Sequence, residues 1–133
     1  MHMSLREVVL FLCLLESNNN PDAVGDTHLG DNCARGILQI RPCVVQDVNR
    51  KYGTSYKKTD CYNIEISKDI CEKYLLMWCG PNADFETYVR TWNGGPKGAQ
   101  RKTTLKYFTR CTSLLQKEWI PNRSTYFRKW RIA

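Results

Sequence analysis

The first strong pattern in the sequence is an apolar stripe near the N-terminus. Over residues 5–15, apolar side chains recur three and four residues apart, at Leu5, Val8, Val9, Leu12 and Cys13. This period predicts a buried helix. The alternative is the apolar core of a signal peptide, which is disfavoured because only Arg6 beside Glu7 precedes it and no small-x-small cleavage site follows.

Further along the chain, apolar faces alternate with Gly, Pro and Asn clusters that predict loops. Long polar loops are expected at residues 18–36 and 93–98. Four further helices are expected. The first begins at Pro42 and is capped by Gly53, and the second is capped by Ser67 and ends at Gly80. The third covers Phe85–Trp92 after an Asp84 cap, and the fourth covers Gln100–Glu118, with Pro121 ending it. No repeat or linker interrupts the pattern. The sequence therefore predicts one mainly helical domain over residues 1–133 with a basic C-terminal segment at about 119–133.

Glu16 extends the first apolar stripe, since it follows Cys13, Leu12 and Val9 by three, four and seven residues. A carboxyl at the inner end of a buried helix loses hydration, which raises its pKa and suits it to general acid catalysis. The alternative is a glutamate in a frayed last turn whose carboxyl reaches water.

Composition excludes several classes of protein. The chain has 133 residues, of which 42% are hydrophobic and 25% charged, which is ordinary globular usage and excludes disorder, collagen and coiled coil. No apolar run approaches the roughly 18 residues of a membrane-spanning helix. Seven cysteines leave at least one thiol unpaired; without a CxxC pair a zinc site is disfavoured, and no metal or cofactor is expected. Disulfides stay open as an alternative.

Charge is unevenly distributed. The net charge is +7, but residues 97–133 carry +9 and residues 1–96 carry −2. A basic C-terminal third favours an anionic partner such as a bacterial wall polymer. Solvated helix faces are the plain alternative, and nucleic-acid binding is a third, since aromatic residues lie among these charges at Trp119, Tyr126, Phe127 and Trp130. No nucleic-acid motif is present, so no nucleic-acid partner is expected.

Three segments, taken in order, resemble one family. Residues 16–25 (Glu-Ser…Asn-Pro-Asp-Ala-Val-Gly) resemble the "ES…NP.A.G" signature of SLT-type lytic transglycosylases. Residues 36–42 (GILQIRP) resemble their "G.(L/M)QI.P" motif, and residues 91–98 (TWNGGPKG) resemble their "AYNAGPG" motif. The resemblance covers about residues 4–112 and implies a lysozyme-like, mainly α fold with minimal sheet.

The resemblance also implies an activity. The family cleaves the β-1,4 bond between N-acetylmuramic acid and N-acetylglucosamine in peptidoglycan. By this resemblance Glu16 is the general acid, and it then takes the proton from the C6 hydroxyl of muramic acid to close a 1,6-anhydro ring. Ser17 is expected to orient Glu16 and the acetamido group of the substrate.

The resemblance assigns the remaining substrate contacts to two motifs. Gln39 is expected to hydrogen-bond an N-acetyl group or the glutamate, and the backbone at Gly36 and Leu38 to line the glycan groove. Trp92 stands where the family often has Tyr, so it can pack on a sugar but lacks a phenolic hydroxyl. Asn93 is expected to hold the loop that places Trp92.

The outcome of the reaction stays open between two mechanisms. A single catalytic Glu suits the water-free route, and the transglycosylase is the preferred interpretation. Goose-type lysozymes, relatives with the same fold, place water-positioning aspartates in the loop after the Glu and hydrolyse instead. Here that loop carries Asp22, Asp26 and Asp31, which are therefore the candidate water-positioning acids.

Two expectations concern the setting of the protein. It is expected to be a monomer that acts on the wall, in the periplasm or outside the cell. Because no convincing signal peptide is present, one interpretation is that the protein is encoded by a phage and is released by a holin or carried in a virion. The remaining alternative is a non-catalytic wall-binding or virion protein, which the presence of Glu16 argues against.

Overall fold

The computed structural model describes residues 2–131, with side chains through Arg128. Over that range the chain forms six α-helices: α1 Leu5–Ser17, α2 Pro42–Tyr52, α3 Ile64–Cys79, α4 Phe85–Gly94, α5 Leu105–Leu114 and α6 Ile120–Arg131. A two-stranded antiparallel sheet pairs β1 Val24–Gly25 with β2 Ala34–Arg35. The predicted fold class, mainly α with minimal sheet, is confirmed. No helix in the described range combines the length and hydropathy needed to cross a membrane.

Helix α1 lies in the middle of the core. Ser4 caps it through a capping box with Glu7, and Asn18 ends it in the left-handed conformation. Every residue from Glu7 to Leu14 is buried, so the helix is covered on all sides and not only along the predicted stripe. The N-terminal apolar stretch is therefore a core helix, as predicted.

The long loop after α1 holds a small hairpin. Val24 pairs with Arg35 and Gly25 with Ala34, and Arg35 also bridges to Ile40. Gly36 closes the turn at φ +82°, and a Cβ there would lie 1.8 Å from the carbonyl oxygen of Cys61. Only glycine fits this position.

Helix α3 begins earlier than expected. Asn63, and not Ser67, caps the helix, because its side chain accepts a hydrogen bond from the Ile66 N–H at 2.9 Å. Ser67 is instead buried within the helix, and its hydroxyl donates to the Cys61 carbonyl at 2.6 Å. The predicted α2, with Pro42 in its first turn and Gly53 as its cap, and the Asp84 cap of α4 are confirmed.

The C-terminal helix also departs from expectation. It does not run as one piece over Gln100–Glu118: α5 passes into a π-helical segment at Leu115–Trp119 and then into α6. Pro121 does not end the helix, because it occupies the first turn of α6, where a missing N–H is tolerated. Trp119 is fully buried and meets Phe11 edge-to-face, with ring centroids 5.7 Å apart.

An ion pair joins this end of the chain to α1. Arg123 of α6 contacts the buried carboxylate of Glu7, the residue that also completes the α1 capping box. The side chains of Lys129, Trp130 and Arg131, part of the predicted basic segment, lie outside the described residues. What is described of the segment is thus a helix anchored to α1.

Candidate active site

A groove of about 640 Å³ lies at the end of α1. We call its lining residues from α1, the hairpin and the start of α2 the first wall, and those from α3, α4 and α5 the second wall. The lining residues are Glu16, Gly25, Asp26, Ala34, Gln39, Arg41, Cys43, Val44, Tyr74, Trp92, Asn93, Gly94, Gly95, Tyr107 and Arg110. Five residues predicted for the site therefore line one groove: Glu16, Asp26, Gln39, Trp92 and Asn93.

The Glu16 carboxyl lies in the last turn of α1, partly buried at the groove surface. Burial raises its pKa to about 6, from an ordinary value of 4.5. The Tyr107 hydrogen bond and the charge of Arg110 oppose that rise in pKa, whereas the carboxylate of Asp26 adds to it. Burial raises the pKa values of the Cys13, Cys71 and Cys111 thiols, and the nearby Glu16 carboxylate adds to that rise.

Tyr107 is the partner of Glu16 that the sequence analysis missed. Its hydroxyl donates to Glu16 Oε2 at 2.5 Å, across 91 positions of sequence. The ring is buried, and this burial raises the pKa of its hydroxyl well above the ordinary value, so the phenol keeps its proton. One signal was available: Tyr107 lies four residues before Cys111, on the apolar side of the predicted helix.

Ser17 lies beneath the groove and holds two segments together. Its hydroxyl donates to the Ile37 carbonyl at 2.7 Å and accepts from the Asn20 N–H at 3.0 Å. Gly36 and Leu38, expected against the glycan, are also absent from the lining, because Leu38 is fully buried and Gly36 packs on the Cys61 carbonyl. These residues fix the backbone under Glu16 and Gln39.

Gln39 reaches the groove from a left-handed backbone conformation, φ +53°. Its Nε2 donates to the carbonyls of Ala23 at 3.2 Å and Gly36 at 3.0 Å, so the amide N–H groups brace the hairpin. Its Oε1 lies against Gly25, where an added Cβ would be only 2.2 Å away. A non-glycine residue at positive φ is uncommon and marks a constrained position.

Trp92 and Asn93 form the opposite rim at the end of α4. The Trp92 ring meets Tyr74 edge-to-face, with centroids 5.7 Å apart, and is partly exposed to the groove. Thr104 fastens the loop behind them, because its hydroxyl accepts from Arg90 Nε and donates to the Gly98 carbonyl, both at 2.8 Å. The rim thus combines an aromatic ring with a loop that buried hydrogen bonds hold in place.

The three loop aspartates differ in their position relative to the groove. Asp26 lines the groove, where its carboxylate forms an ion pair with Arg41. Asp22 and Asp31 do not belong to the lining. Of the candidate water-positioning acids, only Asp26 shares the groove with Glu16.

Comparisons with known proteins agree with this arrangement. The sequence model of the family described as "Transglycosylase SLT domain" matches residues 1–111. A protein named "Lysozyme" from Magallana gigas is 31% identical over 101 residues, which span 73% of this chain and 70% of that protein. One chain of the crystal structure of Aeromonas hydrophila PliI in complex with Meretrix lusoria lysozyme has TM-score 0.66 at 21% identity, covering 80% of this chain and 87% of that one. This last likeness concerns the fold alone.

Proposed function

The chain belongs to the transglycosylase SLT domain family, and from this premise we propose that Glu16 is the general acid of a peptidoglycan-cleaving reaction. The family match and the lysozyme relative support a peptidoglycan glycosidase with lysozyme-like activity. Such an enzyme acts on the wall, in the periplasm or outside the cell. The observation that carries the role of Glu16 is its place in the groove with a raised pKa and a fixed partner in Tyr107.

The raised pKa supports the first step. With a pKa of about 6, roughly a tenth of Glu16 carries a proton at pH 7, against about 0.3% at the ordinary value of 4.5. That proton goes to the glycosidic oxygen as its bond to C1 of muramic acid breaks. The Tyr107 hydroxyl holds Oε2, leaving the other carboxyl oxygen to face the substrate.

For the second step we favour the intramolecular route. The Glu16 carboxylate takes the proton of the C6 hydroxyl, whose oxygen bonds to C1 and closes a 1,6-anhydro ring, so no water is consumed. Support comes from Asp26, the one loop acid in the groove, because its carboxylate is occupied by Arg41. A carboxylate held by an arginine is not free to orient a water at the sugar.

Hydrolysis is the second candidate, and Asp26 is again the reason. It is the loop carboxylate on the groove wall, it is partly exposed, and its charge acts on Glu16. If substrate displaces Arg41, Asp26 becomes free to orient a water. The lysozyme name of the Magallana gigas relative favours the same outcome.

The groove supplies the substrate contacts in this proposal. The Trp92 face packs on a sugar ring, Gln39 Oε1 accepts from an acetamido N–H, and Asn93 holds the end of α4 that carries Trp92. Ser17 acts through the backbone it ties down and does not touch the sugar.

Digestion of purified sacculi followed by mass analysis tests the reaction. Anhydro ends are about 18 Da lighter than reducing ends, because no water is added. Products with anhydro ends support the transglycosylase. Reducing ends that disappear in Asp26→Asn would establish hydrolysis, and an absence of any released muropeptide would refute the proposal.

A further inference from the structure

A second depression, of about 550 Å³, adjoins the groove at Glu16. It shares Glu16 and Arg110 with the groove, and it continues along the end of α1 at Asn18 and along α5 to Lys117 and Glu118. Any polymer cut at Glu16 therefore has an adjoining surface available on the protein. The mechanism above makes no use of this surface.

The π-helical segment builds the far wall of this depression. The Ile120 N–H bonds to the Leu115 carbonyl, five residues back, which widens the helix at this point. Buried Trp119 anchors the segment in the core, while Lys117 and Glu118 stay exposed on the depression side. Single π turns of this kind are frequent at functional sites.

The depression carries two cationic side chains. Arg110 is exposed, with its guanidinium 5.9 Å from the centre of the Tyr107 ring, and it lowers the pKa of Glu16. Among the described residues, neither Arg110 nor Lys117 forms an ion pair. Glu118, the acidic residue of the π-helical segment, accepts a 3.4 Å hydrogen bond from the Tyr126 hydroxyl of α6.

Of the two arginines that line the groove, Arg41 is paired with Asp26, whereas Arg110, which the depression shares, forms no such pair among the described residues. Unpaired cations beside a glycan-cleaving carboxyl favour an anionic group attached to the glycan. Arginine in particular suits a carboxylate, which it can bind through two parallel hydrogen bonds.

We propose that this depression binds the acidic stem peptide carried by the muramic acid next to the cleaved bond, with Arg110 and Lys117 receiving its carboxylates. The inference rests on the proposed function, since only a muramic acid placed at Glu16 delivers its peptide to this surface. Wall phosphate polymers offer similar charge, but the peptide is covalently fixed to the sugar at the scissile bond.

The test compares binding of two glycan ligands, both freed of phosphate polymers: strands bearing stem peptides and strands of equal length stripped of them. Binding is measured by calorimetry in a Glu16→Gln background, so cleavage does not intervene. Lys117→Glu is expected to weaken binding of peptide-bearing strands roughly three- to tenfold, the scale of exposed charge pairs, and to leave peptide-free strands within about twofold.

Lys106→Glu is the matched control, because it makes the same charge change at an exposed position of the preceding helix, α5, outside both the groove and the depression. Equal losses for Lys106→Glu and Lys117→Glu, equal losses on both strands, or no loss for Lys117→Glu would each overturn the inference. Cleavage by the wild-type protein is measured separately. If wild type cuts neither strand, the proposed function fails, while the ratio of binding constants still decides the role of the depression.

Discussion

The two walls of the groove are held in place by different means. The wall that runs from Glu16 to Arg41 is tied by short-range backbone bonds, such as Gly36 N–H to the Ala23 carbonyl at 2.8 Å. The second wall comes from distant helices, and its Tyr107 hydroxyl reaches Glu16 across 91 positions of sequence. The first wall therefore depends on local backbone contacts, whereas the second depends on helix packing, which supplies the hydrogen bond that holds Glu16 and limits the burial-driven rise of its pKa.

Removing the acid itself gives the largest expected effect. Glu16→Gln keeps the shape and can still accept from Tyr107, but it cannot donate a proton. Lysis of sacculi should fall by at least the roughly 10²- to 10⁴-fold that acid–base catalysis contributes. A folded variant that keeps more than about a tenth of wild-type lysis would contradict this role.

A substitution at Gly36 should destabilise the backbone that supports the first wall. Gly36→Ala forces a Cβ against the Cys61 carbonyl, 1.8 Å away, at φ +82°. We expect a loss of about 2–4 kcal/mol in unfolding free energy, measured by urea denaturation. Gly53→Ala is the control, since it shares a positive φ of +67° but has open space around it. It should lose about 1 kcal/mol, and equal losses would show that steric contact at Gly36 is unimportant.

A substitution at Tyr107 in the second wall should change the pH profile of activity more than the stability of the fold. Tyr107→Phe removes a hydrogen bond that lowers the pKa of Glu16, so that pKa should rise. Activity needs protonated Glu16, so the alkaline limb of kcat/KM, expected near pH 6 in wild type, should move to higher pH. The maximal rate should fall about tenfold as the carboxyl loses its fixed orientation.

Tyr52→Phe provides the comparison for this experiment. It deletes a hydroxyl that donates to the Lys73 carbonyl at 3.2 Å, away from the groove. The pH profile should not move in this variant. A similar shift in both variants, or none in Tyr107→Phe, would remove the assignment of Tyr107 as a positioning residue.

Glu16→Gln should also stabilise the protein, and only above acidic pH. The folded pKa, about 6, lies above the ordinary 4.5, so the folded state loses stability as pH rises from 4.5 through 6. Glutamine removes that loss, so the free energy of unfolding should be about 1–2 kcal/mol higher than in wild type at pH 7.5 and unchanged at pH 4. Chemical denaturation at both pH values measures it, with exposed Glu72→Gln as control. An equal gain at both pH values would contradict the pKa argument.

The smallest expected effect concerns attraction to the wall. Arg123 is engaged by Glu7, so the exposed cations Lys102 and Arg128 are the ones to reverse. In the charge-reversed variant, lysis of intact sacculi should be about two- to fivefold slower than in wild type at low salt. The difference should disappear as added salt screens the charges over about 8 Å. Cleavage of a soluble uncharged glycan should stay the same, and a loss there would place these residues in the site instead.

The same contrast explains what could be predicted from sequence. Helix α1 and the Asp84 cap follow from local periodicity and capping patterns. The convergence of Glu16, Gln39 and Trp92 was expected only because three short motifs resemble those of one family. Tyr107 could not be paired with Glu16, since no local pattern encodes a contact made by helix packing. The start of α3 was misplaced because two good caps, Asn63 and Ser67, stand four residues apart.

The burial of Trp119 bears on how this enzyme can be rebuilt. The family match ends at residue 111, which suggests a natural junction for grafting on a different wall-targeting module. Yet Trp119 fills the space against Phe11, a residue of the helix that carries the acid, and stacks on Tyr126 at 5.4 Å. A chimera cut at residue 111 would expose that surface, so fusions belong after residue 131. The segment beyond the family match is therefore an internal part of the folded unit, and exchanging it would mean redesigning the core.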